Sequence, residues 1–360
     1  IEMGGETMEL QFGFKNAFGA GVSLRQSIYQ GGKVFTALKI AQLYRDYSRA
    51  GAAEVGSEVV FNGEVLFYGA ILRQSQVTVL QKAIEAAEYN LSTIMKMRDQ
   101  GMVSEFEVLR ARVERNNLLP QMIAAESGVE LARKELKSFL GLDLNTPLEL
   151  VERPIEEDTS LAELAPMPQY IDTALGARPS VQQAELLSQI ARKAINIAKA
   201  DYWPHLEGVA NWGWSSQSDD FTLRENNSTS LTAGFVVSVP IFTGFERQAR
   251  VSLAEVDFNQ ARLAESQTKD RVRLEVEEAY YQLQQAKKAL DIQGENIEEA
   301  QEGLKIANVR YESGVGTLLE VLSAQVALTD ARTAMAEAVF NFRVAEARLK
   351  RATTIQPSVE

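Results

Sequence analysis

Cysteine is absent from the 360-residue sequence, and histidine occurs only once. Without cysteine the chain can form neither a disulfide framework nor a thiolate metal site. The single histidine, His205, follows Trp203 and Pro204 at the start of a predicted strand, where an interfacial residue is expected more often than a ligand. The sequence therefore predicts no catalytic residue, no metal site and no cofactor, and we do not expect an enzyme.

Positive charge and long apolar runs are also scarce. The formal net charge is −12, which argues against a nucleic-acid surface. The mean hydropathy is −0.17 and no run of 18 apolar residues occurs, so we expect no helix to cross a membrane. Any membrane span then has to come from strands.

The dominant feature that is present is a duplication. Residues 24–141 align without a gap on residues 237–354, at a constant offset of 213. An ungapped repeat of this length indicates that one long structural unit occurs twice. The aligned pairs of identical residues include Ile28 and Ile241, Gly31 and Gly244, Glu64 and Glu277, Tyr68 and Tyr281, and Gly101 and Gly314.

Each repeat contains the pattern of a long helical hairpin. In the second repeat, apolar residues recur at alternating spacings of four and three over residues 272–311 and again over 321–349. This heptad pattern is typical of helices that pack nearly parallel over many turns. A helix over about 244–312 would be roughly 100 Å long at ~1.5 Å per residue. The hairpins are predicted to turn at Gly101 and Gly314.

Shorter segments alternate in polarity. Residues 206–214 and 231–239 place apolar side chains at every second position, as strands with one apolar face do. Residues 8–24 make one comparable strand in the first repeat. Trp203 and Trp214 lie eleven positions apart, about the length of a tilted membrane strand, and resemble the aromatic girdles of an outer-membrane barrel.

Two interpretations of these strands stay open. They can form an ordinary hairpin packed on a soluble core, or they can belong to a membrane barrel. A few strands per chain cannot close a barrel, and open strand edges are not tolerated in lipid. In the second interpretation, several chains must therefore share one barrel.

Several segments, in this order along the chain, resemble the outer membrane efflux protein family, the TolC-like exit ducts. The resemblance covers essentially the whole chain. It rests on Arg178-Pro179-Ser180-Val181, Ala200-Asp201-Tyr202-Trp203-Pro204-His205-Leu206, Val239-Pro240-Ile241-Phe242-Thr243-Gly244, Arg310-Tyr311-Glu312-Ser313-Gly314-Val315, and Leu319-Glu320-Val321-Leu322-Ser323-Ala324-Gln325.

The resemblance implies a fold that is mainly α with a small β part. Duplicated long helical hairpins would form a trimeric α-barrel, joined to a shared 12-stranded outer-membrane β-barrel. The implied function is the outer-membrane exit duct of a tripartite efflux pump, a passive homotrimeric channel in a Gram-negative bacterium with most of the chain in the periplasm. Expected partners are a periplasmic adaptor protein, an inner-membrane transporter and outer-membrane lipid, with no nucleic acid.

Two alternatives to the efflux duct stay open. One is the exit duct of a type I protein secretion system. The other belongs to a different class and is a coiled-coil scaffold without a pore. The sequence does not choose among drugs, metals and proteins as the transported substrate.

The resemblance also assigns site residues. Glu320 and Ser323 match positions of acidic rings at the periplasmic gate, and Tyr311 matches a tether. Ser323 is not acidic, so we expect a single charged ring, and a basic tether position falls on Gly316. The full expected gate is Tyr311, Leu319, Glu320, Leu322 and Ser323. The expected adaptor-contact tips are Gln100, Gly101, Met102, Ser313, Gly314 and Val315, and the expected membrane girdle is Tyr202, Trp203, Trp212, Trp214 and Phe242.

The predicted organisation follows chain order. Residues 1–141 form the first repeat, 142–178 an equatorial linker, 179–354 the second repeat and 355–360 a tail. At the offset of 213, residues 178–213 have no counterpart upstream. We therefore expect that a leading helix, a strand and an export signal are missing before the first repeat.

Overall fold

The structure is a computed structural model that describes residues 2–3, 6–7, 13–151, 164–220, 223 and 226–354. Within these residues the chain is mainly helical with a small antiparallel sheet, as predicted. The elements are β1 (Glu2–Met3), β2 (Glu6–Thr7), β3 (Asn16–Gln30), α1 (Lys33–Asp99), α2 (Glu105–Phe139), α3 (Met167–Ala177), α4 (Pro179–Ala200), β4 (His205–Ser218), β5 (Asn227–Ser238), α5 (Glu246–Glu312) and α6 (Leu318–Thr353).

The main sheet has the order β3-β4-β5, with both pairs antiparallel. Trp212 lies opposite Val22 on one side and Leu231 on the other, so one face of the sheet is apolar. The register of β3 against β4 shifts between Ser27 and Tyr29. The two-residue strands β1 and β2 pair only with each other among the described residues.

The three predicted strands exist, but their ends differ from the apolar alternation. The prediction of a strand from residue 8 is wrong at Phe14, because β3 begins only at Asn16. The strand β3 continues to Gln30, β4 continues to Ser218, and β5 begins at Asn227. Main-chain pairing carries each strand beyond the point where alternate apolar side chains stop, because a backbone ladder does not depend on side-chain polarity. Of the predicted first strand, Met8, Leu10 and Phe12 lie outside the described residues.

The long hairpins agree with the heptad pattern. Helices α1 and α5 have 67 residues each, α2 has 35 and α6 has 36. Their interior consists mostly of small and branched apolar residues, which allow helices to approach closely. One buried cluster, on α3 to α6, includes Ala174, Val181, Val272, Val276, Ala279, Leu283, Ala338, Phe342, Ala345 and Leu349. Those on α5 and α6 occupy positions of the predicted heptad pattern.

Contacts group the chain into two units, each of which draws on both repeats. One comprises residues 1–48 and 183–265 and contains the sheet; the other comprises 49–182 and 266–360 and contains most of the hairpins. The chain-order boundaries at residues 141, 178 and 354 remain a prediction.

In the second unit, a buried arginine joins the repeats. Arg178, 6% exposed, precedes α4 and contacts Glu275 of α5, while its other nitrogen lies 3.6 Å from Glu54 of α1. The backbone N–H of Ser180 also donates to Glu54, at 3.2 Å. A buried guanidinium is tolerated here because two carboxylates compensate its charge.

The expectation that no helix is apolar enough to cross a membrane is too strict. Helix α1 contains an 18-residue window with a mean hydropathy of 1.2, and 6% of that window is buried. By length and composition alone, α1 is the one helix of the described residues that passes this test. A count of uninterrupted apolar residues misses such a window, because isolated polar residues break the run without lowering its mean hydropathy much.

Candidate functional site

Both hairpins turn on a glycine in the left-handed conformation. Gly101 has φ of +74° and Gly314 has φ of +77°. The Gly101 N–H donates to the Arg98 carbonyl at 2.8 Å, and the Met102 N–H donates to the Met97 carbonyl at 2.9 Å. This pair of hydrogen bonds defines a Schellman turn. The second tip repeats this arrangement. Each glycine is therefore at least a helix C-cap, because other residues reach this conformation only with strain.

Both tips present an apolar side chain immediately after the glycine. Met102 is 60% exposed and Val315 is 70% exposed, and the two positions are equivalent in the repeat. Gln100, Gly101, Ser313 and Gly314 are exposed as well. All six predicted adaptor-contact residues are thus accessible for contact with another helix.

Tyr311 links the tip of the second hairpin to the first hairpin. Its hydroxyl donates to Glu107 Oε2 at 2.7 Å. The ring is 8% exposed and belongs to a buried cluster shared by both hairpins. The other members of this cluster are Leu91, Ile94, Val108, Ala111, Ala307, Leu318, Val321 and Leu322.

This environment raises the pKa of the Tyr311 phenol far above its ordinary value of 10. Burial is the main cause, and the hydrogen bond to Glu107 and the charge of that carboxylate add to it. The phenol therefore stays protonated, and remains a donor, throughout the physiological pH range.

Glu320 pairs within its own hairpin. Arg310 Nε lies 3.4 Å from Glu320 Oε2, with about half of each side chain exposed. Arg310 therefore forms its ion pair within the second hairpin and, among the described residues, none with the first hairpin. Gly316 packs tightly here, because a β-carbon at this position would lie 2.9 Å from Arg310 Cβ.

The predicted gate residues fall into two groups. Leu319, Glu320 and Ser323 are exposed on α6. Leu322, 8% exposed, and Tyr311 instead pack in the cluster between the hairpins. The first group is therefore accessible to solvent, whereas the second packs between the two hairpins.

A buried amide, whose role the sequence does not predict, adds a second link between the hairpins. Gln325 of α6, 6% exposed, donates to the Ala83 carbonyl at 3.1 Å. Its side-chain oxygen accepts from Asn90 Nδ2 at 2.9 Å, and both partners lie on α1. A polar residue next to an apolar seam was the available signal, since buried amides are kept where their hydrogen bonds are satisfied.

The predicted girdle residues lie on the sheet and at its helix-side end. Trp212 and Trp214 share a face of β4, and Trp212 is 42% exposed. Tyr202, Trp203 and Phe242 flank the strands and are 50%, 58% and 75% exposed. Large exposed aromatic side chains on and around an amphipathic sheet are typical of a membrane interface.

The opposite face of the sheet is small and polar. Ser215 and Ser228 hydroxyls lie 2.9 Å apart, and Arg25 Nε lies 3.9 Å from Glu207 Oε2. Among the described residues, no group of three or more acidic, histidine or cysteine side chains could hold a metal ion.

The model of the outer membrane efflux protein family matches residues 170–354, slightly more than half of the chain. The chain belongs to the outer membrane efflux protein family. The family expected from the sequence is confirmed, and with it an outer-membrane location and membership of a transport family that is not enzymatic.

Similarity to individual curated proteins agrees with this family assignment. The alkaline protease secretion protein AprF of Pseudomonas aeruginosa is 23% identical over 79% of the chain and 59% of its own length. Outer membrane protein TolC of Escherichia coli is 22% identical over 94% of the chain and 69% of its own length. The chain thus spans about 60–70% of the length of these curated relatives.

Solved structures confirm the fold. The open-state MtrE outer membrane channel of Neisseria gonorrhoeae has a TM-score of 0.73 and 17% identity, and the match covers 94% of this chain and 80% of that one. At this identity the likeness bears on the fold alone.

Proposed function

We propose that the chain is a protomer of a homotrimeric exit duct, which passes substrates from an inner-membrane transporter across the periplasm and the outer membrane. The exposed apolar sheet carries this proposal. Every residue of β5 is exposed, including Leu231 at 75% and Phe235 at 75%. Within the described residues, β3 and β5 each pair on one side only.

A barrel shared by several copies of the chain would provide partners for the strand edges and an apolar environment for one face of the sheet. Unpaired strand edges are unstable in lipid, so the outer edges of β3 and β5 need strands from neighbouring protomers or from chain segments outside those described. The apolar face around Trp212 then meets lipid, and the face with Ser215 and Ser228 lines a water-filled lumen. A coiled-coil scaffold would leave this apolar face in water.

The hairpin tips supply the gate and the adaptor contact. In a trimer, three copies of Glu320 would gather near the axis and form a cation-attracting constriction. Because Arg310 lies 3.4 Å from each Glu320, it would reduce but not cancel the negative potential. Exposed Met102 and Val315 would meet an adaptor helix at each tip.

Assembly and conductance test the duct directly. Protein from outer-membrane fractions should migrate as a heat-dissociable trimer and form cation-selective channels in planar bilayers. A folded monomer in detergent-free buffer would contradict the proposal.

The gate is tested by Glu320→Gln, which should lower cation selectivity and block by divalent cations. Glu312→Gln is the matched control, because Glu312 is exposed nearby at the end of α5. If Glu320→Gln leaves selectivity unchanged, Glu320 does not line the constriction.

Adaptor contact is tested by Met102→Ser together with Val315→Ser. These changes keep the glycine turns, so trimer assembly should persist while pump function and adaptor cross-linking are lost. Val309→Ser, at a 61% exposed position of α5 before the turn, is the control. Wild-type cross-linking by the double variant would remove the tips from the interface.

Export of a protein is the second candidate function. The observation that favours it is the similarity to AprF, which is named as an alkaline protease secretion protein. Complementation of two strains, one lacking an efflux duct and one lacking a secretion duct, separates the candidates by the strain that recovers.

A further inference from the structure

The strand-to-helix turn differs between the repeats in a way that exposes apolar surface. In the first repeat, Gly31 and Gly32 both have positive φ, +59° and +83°. The equivalent residues of the second repeat are Gly244 and Phe245, with φ of +59° and +66°. A phenylalanine therefore occupies a left-handed position that the other repeat gives to glycine, although aromatic side chains rarely adopt it.

Phe245 is held away from the protein. Its side chain is 73% exposed, and its ring meets that of Phe242 edge-on at 5.8 Å. Phe242 is 75% exposed and Ile241 is 91% exposed. We call Ile241, Phe242 and Phe245 the apolar trio.

An arginine borders the apolar trio. The Arg247 guanidinium lies 4.9 Å from the centre of the Tyr202 ring. It donates from Nε to Thr243 Oγ1 at 3.1 Å and from Nη2 to the Ile241 carbonyl at 3.2 Å. These contacts fix its position, and within the described residues Nη1 donates no hydrogen bond.

No carboxylate of the described residues pairs with Arg247. The nearby acids have other partners: Glu246 lies 3.2 Å from Arg250, and Asp201 pairs with Lys33 and lies 3.5 Å from Arg250. An oriented cation beside exposed aromatic side chains is suited to an amphiphile with a phosphate group.

We propose that the apolar trio and Arg247 form a binding site for an anionic phospholipid in the inner leaflet of the outer membrane. The trio enters the boundary between headgroups and acyl chains, and Arg247 binds the lipid phosphate. This site rests on the proposed function, because it needs a bilayer at this end of the sheet.

Strand pairing with a neighbouring protomer is a poor alternative occupant. The strand β5 ends at Ser238, and Pro240 has no N–H to continue a ladder. The trio follows this stop, so a strand added to β5 would end before reaching it.

Lipid retention tests the site. Trimers in bilayers of phosphatidylethanolamine and phosphatidylglycerol are titrated with spin-labelled phosphatidylglycerol, and the motionally restricted fraction is measured. Arg247→Gln should weaken retention about fivefold, the usual effect of one basic residue at an anionic surface. Lys199→Gln is the control, because it also removes a positive charge from this unit. Unlike Arg247, Lys199 already lies beside a carboxylate, with its Nζ 3.8 Å from Glu255. Equal retention by Arg247→Gln and wild type would overturn the proposal.

Depth in the membrane tests the trio. Because the chain has no cysteine, Phe245→Cys provides a single site for an environment-sensitive fluorophore. Lipids brominated near the headgroup should quench this label and should not quench one at Lys305→Cys, a 71% exposed position near the end of α5. An unquenched label at 245 would contradict the insertion.

Phe245→Gly separates the lipid site from trimer formation. It copies Gly32 of the first repeat and relieves the left-handed strain, so trimer stability should not fall while retention of phosphatidylglycerol does. Dissociation of this variant into monomers would show that a second protomer covers Phe245, which would overturn the site. Failure of wild-type protein to form trimers or channels would instead refute the proposed function.

Discussion

The two repeats share their backbone turns but differ in what those turns face. Gly31 and Gly244 have the same φ of +59°, yet their surroundings are opposite. A β-carbon at Gly31 would lie 2.4 Å from the Ala200 carbonyl oxygen, whereas one at Gly244 would meet nothing within 4 Å. The two repeats thus share the turn and differ in the contacts around it.

The hairpin tips show the same divergence in their side chains. Tyr311 is equivalent to Arg98, and Glu320 to Glu107. The structure joins Tyr311 to Glu107 across the hairpins at 2.7 Å. The other diagonal is not formed, since Arg98 donates to Glu105 and Asp99 at 2.9 and 2.7 Å and Glu320 pairs with Arg310. The hydrogen bond between the hairpins therefore forms where the second repeat has Tyr311, and not where the first repeat has the equivalent Arg98.

The largest expected difference between the repeats is at the strand–helix turns. Gly31→Ala should cost about 3 kcal/mol of stability, because left-handed strain adds to a clash with backbone that cannot move aside. Gly244→Ala should cost about 1 kcal/mol from the strain alone. Heat-dependent migration of the trimer measures both. Equal losses would show that Gly31 is not closely packed against Ala200.

A smaller effect is expected at the Tyr311 link. Tyr311→Phe removes a hydrogen bond to a charged group, worth about 1.5 kcal/mol, and should raise the open fraction in single-channel recordings about tenfold. Arg98→Gln is the matched control and should change it little, because its partners are in its own hairpin and exposed.

The pH dependence of this link follows from the raised pKa of Tyr311. A folded-state pKa above the unfolded value stabilises the folded tip with its Tyr311–Glu107 hydrogen bond at every pH below about 10, and that stability is lost as pH rises through the folded value. Loss of the phenol proton should therefore open the tip only in strongly alkaline solution. If the open fraction rose between pH 7 and 9 in the wild type and not in Tyr311→Phe, the predicted role of the Tyr311–Glu107 hydrogen bond would be contradicted.

The smallest effect is expected at Glu64, whose equivalent is Glu277. Burial raises the pKa of Glu64; Lys350 opposes this shift, and Glu346 adds to it. Because the folded state then binds the proton more tightly, stability falls as pH rises from 4.5 through the folded value. Glu64→Gln should gain up to about 0.5 kcal/mol at neutral pH. The melting temperature of Glu277→Gln gives the comparison, and a loss in Glu64→Gln would mean that the Lys350 attraction dominates.

The sequence was sufficient for the features that repeat or alternate. The constant offset identified Gly101 and Gly314 as equivalent turns, and the heptads located the helices because apolar spacing determines which helix face is buried. Strand centres such as Trp212 were also predictable. The strand ends were not, since the ladder continues through polar residues to Gln30.

Pairings between distant residues were the part that sequence could not supply. Tyr311 was predicted as a tether, but its acceptor, Glu107, lies 204 positions away and competes with several nearby carboxylates. Gln325 offered only a polar residue at a seam. Phe245 was overlooked although alignment on Gly32 marks it, because a sequence comparison does not report φ.

The buried amide of Gln325 has a mechanical consequence. It holds α6 to α1 seven residues beyond the first residue of α6, Leu318, so it acts as a fulcrum about 10 Å from the tip at ~1.5 Å per residue. If the Tyr311 bond breaks while this fulcrum holds, the moving arm is only two helical turns long. For a given rotation, a short arm displaces the tip by only a small distance. Such a gate would therefore change its width by small amounts while the rest of the hairpin stays in place.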